Sequence, residues 1–503
     1  MTHQSNHAER EHWAERARSM TLPCGLFVDG QLQEALSDTT LPVFNPATGA
    51  VLAQMALAGQ IDVDRAVAGA RAAFAEGRWR KVPPRERGRR LQHLAALIEA
   101  HRDELALLET LCVGKPIADS LSVDLRAAAR TFAWYGEAVD KVYDQLAPVP
   151  ANALAMVTRE PLGVVAAVVP WNFPLHMAAW KVAPALATGN SVVLKPAEQS
   201  PLSALRLGEL AIEAGIPPGV LQVVCGDGPT TGAALGLHGD VDCVAFTGST
   251  EVGKLFLGYA GASNMKRVWL ECGGKTAHVV LADCPDLKRA AAAAADAIFF
   301  NQGEMCSAGS RLLLDAAIAG PFMELLVEQA RRYAPGDPLD PGTRMGALVS
   351  TEQLERVLGY IRQAQADGAR LVTGGRRCLE ETGGWFVEPT IFDGVDPRSS
   401  LAQEEVFGPV LAVMTFRDEA EALAIANGTP YGLAAAVWTA DLNRAHRLAR
   451  ELRAGTVWVN CFEEGDMTVP FGGFDQSGFG RDKSLHALDK YTDLKATWVA
   501  LAP

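Results

Sequence analysis

The chain lacks a basic excess, a long apolar run and a cysteine framework, and each absence excludes a class of protein. Among 503 residues, 59 acidic side chains outnumber 46 basic ones, so the formal net charge is −13. Binding to nucleic acid or to an anionic membrane surface needs a basic face, which this balance argues against. No apolar run approaches the roughly 20 residues that cross a bilayer, and the polar segment from Met1 to Arg18 has no apolar core of a secretory signal. We therefore expect neither a nucleic-acid nor a membrane partner.

The nine cysteines are scattered, and none forms a Cys-x-x-Cys pair or a Cys/His cluster at the spacing of a zinc site. An odd, dispersed set of cysteines in a long chain is typical of reduced thiols in the cytoplasm. Hydrophobic residues make up 49% and charged residues 21%, which is ordinary for a globular protein. The composition therefore predicts a cytoplasmic protein of two or three domains without a metal site.

Two series of short apolar runs alternate with helical stretches, which predicts an α/β protein with two mainly parallel sheets. In the first series the runs are continuous, as in strands buried on both faces of a sheet. The strands predicted in this series are Val164–Pro170, Ser191–Lys195, Leu221–Cys225 and Cys243–Thr247, and Arg267–Leu270, ahead of Glu271, is also strand-like. Those of the second series are Ala277–Leu281, Arg311–Leu314, Arg370–Val372, Val410–Phe416, Leu433–Thr439 and Thr456–Val459.

Ahead of these series, the sequence predicts a loose or helical tail, a β-ribbon and helices. The tail covers residues 1–20, the ribbon covers Gly25–Asn45, and the helices are Ile61–Gly77, Arg85–Gly114 and Asp124–Tyr143. The last apolar run, Thr497–Leu501, has no neighbouring strand to pair with. We therefore expect it to pair with another subunit of a homo-oligomer.

Two glycine-rich segments imitate nucleotide-binding loops only in part. Gly248–Lys254 reads G-S-T-E-V-G-K, but Leu255 stands where a triphosphate-binding loop needs Ser or Thr for magnesium. Gly226-Asp227-Gly228 follows a strand, but Thr231 replaces the last glycine of a dinucleotide fingerprint, and a tight turn explains the pair equally well. The surrounding alternation of strands and helices still favours a nucleotide site at the carboxyl ends of the strands.

Six segments in a fixed order carry the strongest functional signal. They are Pro170-Trp171-Asn172-Phe173-Pro174, Phe246-Thr247-Gly248-Ser249, Glu271-Cys272-Gly273-Gly274-Lys275, Asn301-Gln302-Gly303-Glu304-Met305-Cys306, Glu404-Glu405-Val406-Phe407-Gly408-Pro409 and Pro470-Phe471-Gly472-Gly473. Each segment alone is weak, but together, in a match that runs from residue 25 to the end, they make the chain resemble the aldehyde dehydrogenase superfamily. The resemblance implies the aldehyde dehydrogenase fold, with two Rossmann-like α/β domains and a small β oligomerisation ribbon.

The resemblance also implies how this chain is divided. A NAD-binding domain is expected over residues 20–142 and 162–273, and a catalytic domain over residues 274–478. The oligomerisation ribbon and the C-terminal strand are expected over residues 143–161 and 479–503. In this family such a ribbon implies a homo-oligomer, either a dimer or a tetramer.

Oxidising an aldehyde with a nicotinamide needs a nucleophile, because the free aldehyde carbon carries no hydride that is ready to leave. Thiolate attack gives a tetrahedral thiohemiacetal, and cysteine suits this role because its thiol ionises in part near neutrality. The resemblance implies that Cys306 is the nucleophile and that Asn172, with the backbone N–H of Cys306, stabilises the oxyanion. It implies Glu271 as the base that activates water against the thioester, and it places Lys181 near the path by which protons leave.

Each of these residues also has an ordinary structural explanation. A free cysteine is most often a small buried hydrophobic residue. Asn172 could be only a turn residue between two prolines, and Glu271 could be only a charge at the end of a strand. The resemblance, and not the local sequence, favours the catalytic interpretation.

The strand Ser191–Lys195 runs into Lys195-Pro196-Ala197-Glu198, whose lysine and carboxylate can bind the hydroxyls of a ribose. A carboxylate there repels a 2′-phosphate, so Glu198 favours NAD over NADP, although such a pair also occurs at ordinary helix starts. The residues that the resemblance assigns to NAD binding are Trp171, Lys195, Glu198, Gly228, Gly248, Ser249, Glu405 and Phe407. The two glycines and Ser249 would approach the pyrophosphate, Glu405 the nicotinamide ribose, and Phe407 the nicotinamide end.

Residues 464–473 and 480–488 resemble one branch of the family, the γ-glutamyl-γ-aminobutyraldehyde and ω-aminoaldehyde dehydrogenases of polyamine breakdown. A cationic amine or guanidinium tail calls for a carboxylate at the mouth of the pocket. The candidates are Asp124, Glu463, Glu464 and Asp466, and Met177 and Trp180 are expected to line an apolar tunnel. A succinate-semialdehyde enzyme would need an arginine at the tunnel, and none is evident in these segments.

Departures from the branch pattern keep other substrates open. Glu304 stands where Gln is usual, Phe462-Glu463 replaces a Tyr-Asn type pair, and His176, which we expect to be a tunnel-wall residue, occupies a position that is often Leu. Candidate substrates therefore include 4-guanidinobutyraldehyde and 3-aminopropionaldehyde, and a broad-specificity or succinate-semialdehyde dehydrogenase of the same mechanism is an alternative. The presence of Cys306 and Glu271 counts against a non-enzymatic, crystallin-like protein, and Glu271 counts against a CoA-acylating dehydrogenase.

Overall fold

Two large β-sheets and a separate three-stranded sheet form the framework of the protein. The computed structural model describes residues 3–36 and 38–501. The residues of predicted elements that lie outside these ranges are Met1 and Thr2 of the tail, Ser37 of the ribbon, and Ala502 and Pro503 of the C-terminal segment. The α/β class that the alternating runs predict is confirmed.

The first sheet has eight strands, and its five central strands run parallel. In spatial order the strands are Gln31–Gln33, Leu26–Val28, Leu221–Val223, Ser191–Lys195, Val164–Val168, Cys243–Thr247, Arg267–Glu271 and Gly478–Phe479. The three middle strands are buried along their whole length, which explains why their sequences are continuously apolar. Antiparallel strands close the sheet at both edges.

The second sheet has seven strands, and all neighbours run parallel except the first pair, which is antiparallel. In spatial order the strands are Arg370–Thr373, Thr390–Asp393, Val410–Phe416, Arg311–Asp315, Ala277–Val280, Ala434–Trp438 and Thr456–Val459. Each strand predicted for the second series has a counterpart here, with boundaries that differ by at most one residue at either end. Short two-stranded pairs complete the β-structure: Thr40–Asn45 with Ala50–Ala56, Arg377–Cys378 with Phe386–Val387, and Tyr431–Gly432 with Phe474–Asp475.

Helices connect the strands and cover the sheets. In the first half of the chain they are His3–Ser19, Gln60–Glu76, Pro84–Ala100, Arg102–Val113, Ile117–Asp119, Leu125–Ala138, Pro174–Ala187, Leu202–Glu213, Ala233–Leu237 and Thr250–Ala262. In the second half they are Leu287–Phe299, Ala319–Ala330, Thr351–Ala366, Ser400–Gln403, Glu419–Ala426 and Leu442–Glu451. No helix within residues 3–36 and 38–501 combines the length and apolar character that crossing a bilayer requires.

Two predicted helices differ from the structure by more than one residue. The stretch Arg85–Gly114 is two helices, because His101 leaves the helical conformation (φ −98°, ψ 17°) between them. The predicted helix Asp124–Tyr143 is shorter, Leu125–Ala138, and follows a π-helical turn. Amphipathic spacing continues across these boundaries, so periodicity alone does not locate them.

The third sheet is an antiparallel ribbon of Gln145–Ala147, Ala153–Pro161 and Thr492–Ala500. The C-terminal run, for which the sequence shows no neighbouring partner, belongs to the strand Thr492–Ala500, which pairs along its full length with Ala153–Pro161 of the same chain. The two strands are so far apart in sequence that no local pattern reveals the pairing. The strand exposes Leu494 and Trp498, and its outer edge pairs with no strand in the described part of the chain.

The parallel strands of the first sheet end at one edge and bring distant loops together. Thr247 is in register with Glu271, and Phe246 is in register with Val168. The loops that follow these strands therefore begin next to each other at this edge of the sheet. They place Asn172 and Ser249 near Glu271.

Candidate active site

A cavity of about 1050 Å³ lies beyond these strand ends and takes lining residues from both halves of the chain. The predicted site residues that line it are Trp171, Asn172, Met177, Trp180, Gly248, Ser249, Glu271, Cys306, Glu405, Phe407, Glu464 and Asp466. Those that do not line it are Asp124, Lys181, Lys195, Glu198 and Gly228. The cavity unites the candidate nucleophile, oxyanion donor and base, and it is large enough to hold a ligand of cofactor size.

Cys306 follows a strained loop. Residues 301–303 all have positive φ (49°, 58° and 72°), and only the last of them is a glycine, for which this conformation is not strained. The thiol faces the cavity and accepts a hydrogen bond from the backbone N–H of Ser307. Burial, and then the negative charge of Glu271, raises the pKa of the Cys306 thiol. The thiol is therefore neutral in the free protein and becomes a nucleophile when it loses its proton.

The side-chain amide of Asn172 is fixed beside the nucleophile. Its Nδ2 donates to the backbone oxygen of Glu304 at 2.8 Å, and Nδ2 of Asn301 donates to the same oxygen at 3.1 Å. This bond uses one amide hydrogen of Asn172 and leaves the other without an acceptor in the described chain. The backbone N–H of Cys306 likewise has no acceptor within residues 3–36 and 38–501. Both donors that an oxyanion needs are thus available.

Glu271 ends a strand of the first sheet and lines the cavity, although only 4% of the residue is exposed. Its Oε1 has no hydrogen-bond partner in the described structure. Burial, and then the charge of Asp482, raises the pKa of Glu271 to about 8, against the opposing effect of Lys181 and Lys490. A carboxylate with a pKa near the working pH can take a proton from water, which suits a general base.

Next to Glu271 lies a buried carboxylate that the sequence analysis did not identify. Asp482 is fully buried, and its two side-chain oxygens accept from two different ammonium groups, those of Lys181 and Lys490. Against the effect of burial, the two lysines lower the pKa of Asp482. Two cations and one anion give this cluster a net positive charge beside the base. Lys181 thus contacts Asp482 and not the cavity.

Removing one lysine of this cluster should change the pH dependence of the reaction. Lys490→Met leaves Asp482 with one cation and removes the net positive charge near Glu271, so the pKa of Glu271 rises above about 8. We expect the rise of kcat with pH to move upward by about one pH unit. The matched control is Lys490→Arg, which keeps the charge and should keep the profile close to that of the wild type. Superimposable profiles for Lys490→Met and the wild type would contradict this role.

One half of the cavity suits a dinucleotide phosphate. The helix Thr250–Ala262 begins there, and Ser249 caps it by accepting from the backbone N–H of Val252 at 3.2 Å. Gly248 and Ser249 line the cavity at this helix end, where free N–H groups and the helix dipole favour an anion. A Cβ at Gly248 would lie 2.5 Å from the ring of Phe246, so only glycine fits.

Glu405 approaches the backbone of a glycine pair. Its Oε1 accepts from the N–H of Gly274 at 3.2 Å, and a Cβ at Gly273 would lie 2.0 Å from its Oε2. Only glycine lets the carboxylate come this close, and burial raises the pKa of Glu405 to about 7. Phe407 and Trp171 also line this part of the cavity and pack edge to face, with ring centroids 5.3 Å apart.

Lys195, Glu198 and Gly228 lie outside the cavity lining, at a neighbouring strand end. The Lys195 ammonium is 3.6 Å from the Glu198 carboxylate, and the lysine stem lies 3.9 Å from where a Cβ of Gly232 would be. Gly228 has open space where a side chain would stand. An ammonium, a carboxylate and unobstructed backbone are the groups that bind a ribose and a phosphate. The residues present therefore fit a dinucleotide such as NAD.

The other half of the cavity is an aromatic tunnel. Met177 and Trp180 line it, as do Phe300, Trp458, Phe462 and Phe471. His176 packs edge-on against the rings of Phe173 and Trp180, with centroids 6.1 and 5.1 Å away. Burial lowers the pKa of His176 to about 3. This histidine is therefore a neutral part of the tunnel wall.

The prediction that Asp124 lies at the mouth of the pocket is wrong. Its side chain is fully buried, and its Oδ2 accepts from the Lys115 ammonium at 2.5 Å. The same ammonium lies 3.9 Å from the centroid of the Phe173 ring, and Glu109 accepts from the backbone N–H of Leu175 at 2.7 Å. These contacts make Asp124 part of a buried ion-pair cluster behind the tunnel wall, because a buried carboxylate needs a paired cation.

The mouth of the cavity has basic as well as acidic side chains. Asp466 lines the mouth, but it already pairs with the Arg130 guanidinium. The Glu464 carboxylate also lines the mouth and has no ion-pair partner in the described structure. The sequence analysis found no arginine for the tunnel, yet Arg126, Arg130 and Lys483 line this cavity. The two arginines come from a helix that the late sequence segments do not include.

Glu304, which stands where Gln is usual, lies behind the cavity wall. It is fully buried outside the cavity lining, and its Oε1 accepts from the backbone N–H of Val349 at 3.1 Å. Burial raises the pKa of Glu304 well above its ordinary value, so the group is protonated. A protonated carboxyl offers a donor and an acceptor, whereas the amide of Gln offers two donors and an acceptor; Oε2 of Glu304 has no hydrogen-bond partner in the described structure.

Comparisons with known proteins agree with this geometry. The model of the family described as "Aldehyde dehydrogenase family" matches residues 33–497. The chain is 53% identical to NADP/NAD-dependent aldehyde dehydrogenase PuuC of Escherichia coli (strain K12) over 490 residues, which are 97% of this chain and 98% of that relative.

Solved structures match along nearly the whole chain. One is gamma-glutamyl-gamma-aminobutyraldehyde dehydrogenase from Burkholderia cenocepacia J2315, which is 57% identical with a TM-score of 0.97 and covers 98% of this chain and 100% of that one. Another is an indole-3-acetaldehyde dehydrogenase in complex with NAD+, which is also 57% identical with a TM-score of 0.97, over 98% and 99% of the two chains. The fold expected from the six segments is confirmed.

Proposed function

The chain belongs to the aldehyde dehydrogenase family, and we propose that it uses NAD to oxidise an aldehyde with a nitrogen-bearing, charged tail to the carboxylic acid. One observation carries the proposal: Cys306, Asn172 and Glu271 meet in one cavity, between groups that suit a dinucleotide and an aromatic tunnel with a charged mouth. Aldehydes with an amino, guanidino or γ-glutamyl group, as polyamine or arginine breakdown produces, have such tails.

The first step is attack by Cys306. The Cys306 thiol faces the cavity and loses its proton to solvent before it attacks. The thiolate forms a C–S bond to the aldehyde carbon, and the electron pair of the C=O bond moves to oxygen. The amide of Asn172 and the backbone N–H of Cys306 donate to this oxyanion, where little water competes with them. The thiohemiacetal is thus held ready for oxidation.

The second half of the reaction releases the acid. A dinucleotide held by Gly248, Ser249 and Glu405 would supply the acceptor for the hydride of the former aldehyde carbon, which would leave a thioester on Cys306. Glu271 removes a proton from water as the water attacks the thioester carbonyl, while Asn172 stabilises the second oxyanion. The C–S bond breaks, the acid leaves and the thiolate returns. The cluster of Lys181, Asp482 and Lys490 lies beside Glu271, where the proton must depart.

The charged groups support the choice of cofactor and substrate. The Glu198 carboxylate beside Lys195 would repel a 2′-phosphate, which favours NAD over NADP. A solved structure at 57% identity has the name of a γ-glutamyl-γ-aminobutyraldehyde dehydrogenase, and the carboxylates of Glu463 and Glu464 line the tunnel mouth. The ammonium group of such a substrate has partners there.

A panel of aldehydes tests the proposal. It contains γ-glutamyl-γ-aminobutyraldehyde, 4-guanidinobutyraldehyde, 3-aminopropionaldehyde, succinate semialdehyde and propanal, each with NAD and with NADP and without CoA. We expect nitrogen-bearing aldehydes to have kcat/KM values at least about tenfold above propanal, and NAD to exceed NADP. A preference for propanal or succinate semialdehyde would refute the substrate proposal and leave the mechanism standing. A requirement for CoA would refute hydrolysis as the second step.

We further propose the division of the chain that the family implies. Residues 20–142 and 162–273 would bind NAD, residues 274–478 would supply the nucleophile, and residues 143–161 and 479–503 would join subunits in a cytoplasmic homo-oligomer. The open edge of Thr492–Ala500, with exposed Leu494 and Trp498, supports the last point.

Light scattering tests the oligomer. We expect a mass of two or four times the 53.6 kDa of one chain, because an exposed edge strand with apolar side chains is stabilised by pairing or packing against another copy. Trp498→Glu should shift the mass downward, whereas a charge placed away from the ribbon should not. A wild-type mass of one chain would refute the homo-oligomer.

A further inference from the structure

The loop that carries Asn172 is anchored on two sides. On the cavity side, the Asn172 amide donates to the backbone oxygen of Glu304 at 2.8 Å. On the opposite side, the next residues, Phe173 and Leu175, contact side chains from residues 102–124, a region that is remote in sequence. The position of the oxyanion donor therefore depends on contacts behind the cavity wall.

Glu109 caps the helix that follows this loop. The helix Pro174–Ala187 begins after Phe173, whose side chain cannot accept a hydrogen bond, so the first free N–H group needs an acceptor from elsewhere. Oε1 of Glu109 accepts from this group, the backbone N–H of Leu175, at 2.7 Å, and from the hydroxyl of Ser203 at 3.0 Å. Glu109 is only 1% exposed. It therefore fixes the first turn of the helix from a buried position outside it.

Lys115 holds the residue next to Asn172. Its ammonium group lies 3.9 Å from the centroid of the Phe173 ring, which is a cation–π contact. The same group donates to Oδ2 of Asp124 at 2.5 Å, and both side chains of this ion pair are fully buried. Because solvent screens such a buried pair little, Asp124 keeps the ammonium group in place against the Phe173 ring.

Glu109, Lys115 and Asp124 together form a rear cluster, in which one proton joins the two carboxyl groups. Oε2 of Glu109 and Oδ1 of Asp124 have no donor in the described structure, although the two groups are within hydrogen-bonding reach of each other. Burial, and then the charge of Asp124, raises the pKa of Glu109 to about 8, so near neutrality Glu109 holds a proton that it donates to Asp124. The rear cluster is then neutral overall, and each carboxyl oxygen has a partner.

We propose that the rear cluster positions the oxyanion donor: by holding Phe173 and Leu175, it fixes the Asn172 amide where the negative charge of the thiohemiacetal forms. None of its three side chains lines the cavity, so they act through the loop and not on the aldehyde. Preorganised donors lose much of their effect when they are displaced by about 1 Å. This role rests on the proposed function and extends it to residues outside the six motifs.

A double-mutant cycle tests whether Glu109 acts through Asn172. Glu109→Met removes the helix cap and should lower kcat for the preferred aldehyde of the panel roughly tenfold. In an Asn172→Ala background the same change should lower kcat by less than about twofold, because the amide that it displaces is already absent. The KM for NAD should stay within about twofold, since Leu175 and Ser203 are not among the residues assigned to NAD binding. Equal losses of kcat in both backgrounds would overturn the inference.

Two control variants separate positioning from folding. Glu109→Gln keeps an acceptor for Leu175 and a donor for Asp124, so it should keep kcat within about twofold of the wild type. Thr110→Ala, on the same helix, removes a buried hydrogen bond of 2.9 Å to Ser120 that does not involve the loop. This variant should lower the temperature of thermal unfolding and leave kcat unchanged. A tenfold loss of kcat in Thr110→Ala would show that any loss of stability lowers the rate, and would refute a positioning role.

A second route covers the case in which Glu109→Met does not fold. The paired change Lys115→Met with Asp124→Asn removes the cation from the Phe173 ring without leaving an unpaired charge buried. It should lower kcat severalfold in the wild-type background and by less than about twofold with Asn172→Ala. Equal losses in the two backgrounds, with an active wild type, would refute the positioning role alone. A wild type that oxidises no aldehyde would refute the proposed function itself.

Discussion

Cys306→Ala should lower NADH formation at least about 10³-fold with every aldehyde, because no other group can form the thiohemiacetal that precedes oxidation. Asn172 and the free backbone N–H groups stabilise an oxyanion only after a nucleophile has attacked. The binding of NAD, measured by fluorescence titration, should remain within about threefold of the wild type, since the cofactor-binding groups are untouched.

The chain offers a matched control for this variant. Cys272 also lines the cavity and adjoins Glu271, but it does not follow the strained loop that positions Cys306. Burial raises the pKa of the Cys272 thiol to about 12, so this thiol is neutral as well. Cys272→Ala should therefore keep most of the activity. If Cys272→Ala loses its activity while Cys306→Ala keeps it, the nucleophile is Cys272 and not Cys306.

Glu271→Gln should separate the two halves of the reaction. The amide keeps the shape of the side chain but cannot take a proton from water, so hydrolysis of the thioester should slow by about 10²–10⁴-fold. Stopped-flow absorbance should show that NADH is still formed in the first turnover, followed by a very slow steady state. If the first turnover is slowed as much as the steady state, Glu271 is required mainly to activate Cys306.

The pH dependence of the wild type should reflect the same group. The pKa of Glu271 is raised to about 8, so the basic form dominates above this pH and is lost as pH falls through it. Steady-state turnover should therefore rise with pH, reach half of its maximum near pH 8 and level off about one pH unit higher. Glu271→Gln should lose this rise.

The sequence predicts the strands of this fold well because buried parallel strands have continuous apolar runs. It predicts Cys306, Glu271 and Asn172 through the order of their motifs, since no local property distinguishes Cys306 from an ordinary buried cysteine. The wrong prediction for Asp124 has a physical cause: an acidic residue at a suitable position gives no sign of the buried Lys115 that pairs with it.

Other parts of the site depend on contacts between distant segments. Asp482 and Lys490 lie close together in sequence, but only the fold brings them against Lys181 and Glu271. The charge of the tunnel mouth is another example, because Arg126 comes from an early helix and meets late residues only in the folded chain. The late segments contain the acids and Lys483, but not Arg126.

The thioester on Cys306 is the most direct test of this mechanism. Glu271→Gln is mixed with NAD and an excess of aldehyde, quenched in acid and analysed by intact-protein and peptide mass spectrometry. We predict that the peptide containing Cys306 gains a mass equal to that of the aldehyde less two hydrogen atoms. The amount of this acylated peptide should equal the amount of NADH formed. The double variant Cys306→Ala, Glu271→Gln should show no added mass. NADH formed without an acyl group on Cys306, or with one on another residue, would contradict the mechanism.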